Sequence, residues 1–212
     1  MTVTHHPDEL LLLGHAAGRL EEATTLIVAA HLNFCDRCRS DVAGLVHAGG
    51  VLLDDIAPVA LADDALARTL ARLDAVDAPP ALPVSRDNTP APLRAWMGRD
   101  LSDVRWRRMG PRLGYVNLMR RGPVALRLLR GAPGSDTGRH GHRGVEYTLV
   151  LRGGFTDETG SYGPGDFQIA TPDTRHNPVA DAGEDCINLA VTTGRLIFDG
   201  LVGRVAGRVF GF

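Results

Sequence analysis

Proline placement divides this chain of 212 residues. Five of the 13 prolines fall within DAPPALPVSRDNTPAPLRA, residues 77–95, and none lies between Asp8 and Ala57. Proline lacks an amide donor and breaks helix interiors. A long proline-free run therefore permits helices, and a proline-rich one favours extended, semi-rigid chain. The expected organisation is a helical unit over residues 1–80, a linker over 81–95 and a second unit over 96–212.

The first unit reads as three helices. Asp8–Leu20 is rich in leucine and alanine, with Asp8 placed to cap its start. Glu21–Val46 carries Leu26, Ile27, Ala30 and Phe34 at helical spacing, and Gly49-Gly50 is expected to interrupt or end it. In Leu61–Val76, Leu66, Leu70 and Leu73 share one face, with Arg68 and Arg72 off it. From Trp96 the pattern turns to short strand-like runs (YVNLM, VALRLL, EYTLVL, DFQIAT, INLAVT) separated by RRGP, RGAPG, RGG and YGPGD. Such runs with Gly/Pro turns predict an all-β sandwich or barrel. No internal repeat is evident, and the Gly-rich apolar LVGRVAGRVFGF closes the sequence.

Charge follows the same division. All 23 basic residues are arginine. Residues 1–85 hold 12 acidic and 5 basic side chains (net −7), and residues 86–212 hold 13 and 18 (net +5), which sum to the −2 of the whole. Halves of opposite sign suggest two units with different partners. A hydrophobic share of 44% rules out wholesale disorder. No apolar run approaches the ~20 residues of a membrane helix, and MTVTHHPDEL lacks a secretory pattern, so a cytoplasmic protein without membrane contact is expected. Three cysteines in such a chain argue against a disulfide framework.

Two of those cysteines belong to a motif. His31-Leu-Asn-Phe-Cys35-Asp-Arg-Cys38 spells H-x3-C-x2-C. On one continuous helix His31 and Cys35 share a face and Cys38 closes on the same centre, which supplies three ligands of the kind Zn²⁺ prefers. His5 and His6, just before the first helix, are candidates for the fourth. A thiol redox pair is the alternative, but such a pair normally follows a strand at a helix N-terminus, and that reading gives His31 no task. The pattern resembles the zinc-binding anti-sigma factor domain, in which an upstream His precedes H-x3-C-x2-C on a helical scaffold. The resemblance covers residues 1–80 and implies His6, His31, Cys35 and Cys38 as zinc ligands.

A second constellation lies in the β half. Gly134, His140, His142, Glu146 and Gly153 spell G-x5-H-x-H-x3-E-x6-G. If one unbulged strand carries His140, His142 and Glu146, all three point to one side, and two imidazoles with a carboxylate inside a barrel make a metal site. His176, beyond the GPGD turn, is the expected fourth ligand. The run is similar to the first motif of the cupin superfamily, over residues 96–200. The second cupin motif departs from pattern: Gly165 precedes His176 by the expected eleven residues, but Pro172 comes one position late, Asp173 stands at a Gly position and Ala180 at an Asn position. Spacing does not choose among Zn²⁺, Fe²⁺, Mn²⁺ and Ni²⁺, so the cofactor expected here is zinc or another divalent metal.

The whole chain resembles the ChrR family of cytoplasmic anti-sigma factors, a zinc anti-sigma domain joined to a cupin (jelly-roll) domain. The resemblance implies a non-enzymatic protein that inhibits an extracytoplasmic-function sigma factor and releases it when singlet oxygen or organic peroxide is sensed, with the cupin needed for the response. In that reading Leu66, Leu70 and Leu73 either complete the grip on the sigma factor or pack within the domain. Two other classes compete. One is a metal-dependent cupin enzyme, a dioxygenase or isomerase with a helical regulatory module. The other is a direct DNA binder using the ten arginines of residues 94–130, but Arg105, Arg107 and Arg127 alternate with apolar residues as on an ordinary strand's solvent face, so no direct nucleic-acid contact is expected. Cys186, in DCINLAV, reads as a buried strand thiol.

Overall fold

A computed structural model describes residues 2–76 and 85–199. Residues 81–84 of the expected linker and the closing LVGRVAGRVFGF lie outside the described residues. Four helices form the N-terminal half: α1 (Glu9–Ala16), α2 (Glu22–Leu32), α3 (Asp36–Asp54) and α4 (Ala65–Asp74). A fifth, α5 (Ala91–Met97), occupies the later part of the expected linker; its Leu93 is fully buried and its Trp96 Nε1 donates to Glu22 Oε1 at 3.0 Å.

The caps explain the helix starts. Asp8 accepts from the Leu11 amide at 2.8 Å, as its position suggests. Glu21 caps α2 by accepting from the Ala23 and Thr24 amides. Two expectations are corrected here. The helix expected over Glu21–Val46 is two helices: the backbone is extended at Cys35, whose sulfur accepts from the Cys38 amide and so serves as the N-cap of α3. Gly49-Gly50 does not end α3, which runs on to Asp54. Neither glycine takes a positive φ there, so the cost is only the roughly 1 kcal/mol per residue by which glycine disfavours a helix interior.

The remaining strands are β1 (Arg107–Arg108), β2 (Leu113–Arg121), β3 (Val124–Gly131), β4 (His140–His142), β5 (Glu146–Arg152), β6 (Phe155–Asp157), β7 (Gly160–Tyr162), β8 (Phe167–Ala170), β9 (Arg175–His176), β10 (Val179–Ala180), β11 (Cys186–Thr192) and β12 (Leu196–Phe198). Among the described residues they form an antiparallel sheet in the order β1-β2-β3-β11-β5-β8 and two smaller sheets, β10-β6-β7 and β12-β4-β9. The expected all-α plus all-β cupin class is the observed one.

The two halves share a hydrophobic core. Ile27 and Ala30 of α2 belong to the same buried cluster as Leu126 and Leu128 of β3, Leu149 of β5, Phe167 of β8 and Leu189 and Val191 of β11. Helix α2 therefore covers the outer face of the large sheet while the inner face lines the barrel. That two-sided burial is why VALRLL and EYTLVL read as nearly unbroken apolar runs. Arg127, expected on a solvent face, is buried: it points inward from β3, donating from Nε to Asn117 Oδ1 at 2.9 Å and from Nη1 to Thr192 Oγ1 at 3.1 Å.

Candidate metal centres

The fold gathers His6, His31, Cys35 and Cys38, with one donor atom from each lying within 4.8 Å of the others. His31 ends α2, Cys35 caps α3 and Cys38 sits in its first turn, so a helix break brings the sulfurs round to the imidazole. The segment before α1 returns His6, whose Nδ1 stands 3.4 Å from both sulfurs. His5 turns away, packing on Tyr162 and facing Asp166. His31 Nδ1 is hydrogen-bonded to the Gly165 carbonyl at 2.8 Å, which fixes the tautomer with Nδ1 as donor. Its Nε2 is buried with no hydrogen-bond partner. Burial holds the His31 imidazole down to about 4, so it stays neutral and keeps a lone pair at neutral pH. Burial, then the bond to Cys35, pushes the Cys38 thiol up to about 12; a cation held here must displace that proton.

The second cluster is His140, His142, Glu146 and His176, all buried and likewise within 4.8 Å. The single-strand expectation is corrected: His140 and His142 lie on β4 and Glu146 opens β5, with a turn between them. Convergence comes instead from strand pairing, His140 standing opposite His176 of β9. The Nε2 atoms of His140 and His142 are each 3.1 Å from His176 Nε2, and Glu146 Oε2 is 3.8–4.0 Å from all three rings. His140 ties its Nδ1 to the Gly138 carbonyl and His176 ties its own to Asp157 Oδ2 at 2.7 Å, so both present Nε2 inward. His142 Nδ1 is buried without a partner. Burial would raise the Glu146 carboxyl, but the neighbouring His140 imidazole, and then those of His142 and His176, hold it below its usual value.

The residues present fit metal ions at both places. Orphaned imidazole nitrogens, converging donors and outer hydrogen bonds are what a metal site requires, and spacings near 3.1–3.4 Å are those left between ligands about 2.0–2.3 Å from one shared ion. Sulfur with nitrogen suits Zn²⁺; nitrogen with oxygen suits several divalent ions. Sequence reasoning missed the outer partners. Asp157 lies within a turn-rich stretch, Gly165 reads as a motif glycine and Asp166 as part of a turn, and their partners lie 19 to 162 residues away.

Known proteins settle the kinship. The description "ChrR Cupin-like domain" matches residues 96–196. Across 212 residues the chain is 43% identical to the anti-sigma-E factor ChrR of Cereibacter sphaeroides, covering 99% of each. The chain belongs to the ChrR family. A solved structure agrees: ChrR from Rhodobacter sphaeroides in complex with SigE is 45% identical, with a TM-score of 0.78, covering 90% of this chain and 100% of that one. Both ChrR relatives are anti-sigma proteins rather than enzymes, as expected of this chain. No helix among the described residues is long and apolar enough to cross a membrane.

Proposed function

We propose that this ChrR-family protein binds and inhibits an extracytoplasmic-function sigma factor through its helical half. In this reading His6, His31, Cys35 and Cys38 hold zinc, His140, His142, Glu146 and His176 hold zinc or another divalent ion, and the protein works in the cytoplasm. In the same reading the functional units are residues 1–80 and 96–212, joined by 81–95. The observation that carries the reading is α4: none of its residues is buried, yet Leu66, Leu70 and Leu73 share one face at 71%, 51% and 65% exposure. They do not pack within the domain. Val51, Leu52 and Leu53 at the end of α3 and Ile56, Val59 and Leu61 beyond it are exposed as well. Apolar surface on this scale calls for a partner, and SigE occupies that role for the Rhodobacter relative.

The zinc ion would tie the segment before α1 to the end of α2 and the start of α3, and so set the direction in which α3 and α4 present their apolar faces. The barrel cluster would supply the sensing element, with singlet oxygen or organic peroxide changing its ligands and release of the sigma factor following. A divalent ion bound there would contribute Lewis acidity; this chain's residues orient the imidazoles and keep the carboxylate ionised. The test is purification of tagged full-length protein from its own host, with bound species identified by mass spectrometry. A stoichiometric sigma factor, lost when Cys35 and Cys38 are replaced, supports the reading. Well-folded, metal-loaded protein without such a partner refutes it.

A further inference from the structure

Strand β8 runs between the two clusters and touches the surroundings of both. Its side chains alternate: Phe167 and Ile169 pair with Leu149 and Tyr147 on the face covered by α2, whereas Gln168 and Ala170 pair with Thr148 and Glu146 on the barrel face. On the barrel side Gln168 Nε2 donates to Asp157 Oδ2 at 2.7 Å, the same oxygen that receives His176 Nδ1 at 2.7 Å. On the helical side the Phe167 ring meets the His31 ring edge-on at 5.8 Å, and the Phe167 amide donates to the His5 carbonyl at 3.1 Å.

The turn leading into β8 completes the contact. The Gly165 carbonyl accepts from His31 Nδ1. Asp166 Oδ1 accepts from the amides of Thr4 and His5 at 2.7 and 2.9 Å, which sets the course of the chain into His6, while Oδ2 accepts from the Gly163 amide at 2.8 Å. Gly165 has φ +91°, and a Cβ there would stand 2.7 Å from Phe34 Cβ and 2.8 Å from Val3 Cγ2, so the approach tolerates no side chain. Four consecutive residues thus position an imidazole in each cluster: Gly165, Asp166 and Phe167 in one, Gln168 through Asp157 in the other. Close packing leaves such a segment little room to move at one end alone.

We propose that Gly165–Gln168 couples the two centres, so that an ion in the barrel cluster strengthens metal binding at the thiolate cluster, with Asp166 and Gln168 as positioning residues at the two ends. This rests on the metal reading above. An ion on His176 holds Asp157 and Gln168 in place, which keeps β8 in the position that orients His31 and the Thr4–His6 segment. Linkage requires the reverse effect to have the same factor.

Cobalt(II) added to the full-length protein tests this. Cobalt on thiolates gives a charge-transfer absorption that an imidazole–carboxylate site lacks, so chelator competition reads the thiolate cluster selectively. Emptying the barrel with His142→Ala and Glu146→Ala is expected to weaken cobalt binding at the thiolates about five- to tenfold. The same pair added to Gln168→Met is expected to change it less than about twofold, and Asp166→Asn alone to weaken it about tenfold. Unchanged affinity on emptying the barrel, or an undiminished drop in the Gln168→Met background, overturns the coupling. Should Gln168→Met not fold, Asp157→Asn interrupts the same chain at its next link and is read the same way. Absence of the thiolate–cobalt band in folded protein overturns the metal reading itself, which keeps the two failures apart.

Discussion

The two clusters bring together four candidate ligands each but are built on different principles. The candidate barrel ligands come from three strands, and pairing between β4 and β9 places His140 opposite His176. The thiolate cluster draws its ligands from a segment before α1, the end of α2 and the first turn of α3. Cys38 is the one residue of α3 that is buried. Strand ladders hold the first site; the second, in the proposed reading, holds its own scaffold. In the proposed reading an ion in the barrel could therefore be lost or altered with the sheet still paired, whereas an ion at the thiolates would be part of what fixes α3.

The largest expected effect breaks that contrast if it fails. Cys38→Ala removes a ligand and the anchor of α3, and structural zinc contributes on the order of 10 kcal/mol in small domains. Sigma-factor retention in a pull-down should fall to background. Glu146→Ala should spare retention and blunt release under singlet oxygen or peroxide. The coupling through β8 does not conflict with this, because a five- to tenfold loss of affinity is only about 1–1.4 kcal/mol of that total. Loss of retention in Glu146→Ala would mean that the halves do not divide the labour as proposed.

Next in size is the apolar face of α4. Leu70→Asp places a charge at the centre of the Leu66–Leu70–Leu73 stripe while touching nothing buried. Sigma-factor affinity should fall by about 2 kcal/mol or more, the scale of an interface hot spot, with an unchanged melting temperature. A fall in melting temperature with unchanged affinity would show that the stripe serves the fold instead. Smaller again is Asp157→Asn, which keeps the size of the side chain but weakens the acceptor behind His176. Metal affinity of the barrel should drop about 10- to 100-fold in chelator competition, and an unchanged affinity would remove Asp157 from the site.

How much of this was legible in the sequence depended on whether the determining contacts were local. The strand runs, the Asp8 cap, the trio His31, Cys35 and Cys38 and the whole second cluster follow from spacing and residue chemistry, whereas His6 rather than His5 came only with the family resemblance. The helix break at Asn33–Cys35 did not, because a cysteine sulfur does the capping, a task usually read from Ser, Thr, Asp or Asn. The same-strand reading of His140 and Glu146 failed at the turn around Gly144, where a Cβ would stand 2.7 Å from Thr193 Oγ1. The roles of Asp157 and Asp166, and the contact of Gly165 with His31, were invisible for a simpler reason: each acts through a partner brought near only by the finished fold. The shared core was hidden too, since a proline-rich boundary suggests separation and nothing local in α2 says that it will lie on a sheet.

The smallest expected effect concerns the third cysteine. Cys186 opens β11, is buried, donates from Sγ to Asn188 Oδ1 at 3.4 Å, and belongs to neither cluster. Burial pushes its thiol up to about 12, so at pH 8 only about one molecule in ten thousand carries the reactive thiolate. Raising the pH to 9 increases that fraction about tenfold and still leaves it near one in a thousand. Iodoacetamide followed by mass spectrometry should therefore leave all three cysteines unlabelled in zinc-loaded protein. A chelator should open Cys35 and Cys38 by freeing the start of α3, and only denaturant should open Cys186. Labelling of Cys186 before the other two would show that the β11 end of the sheet opens more readily than the thiolate cluster, reversing the order of rigidity that strand pairing gives the barrel.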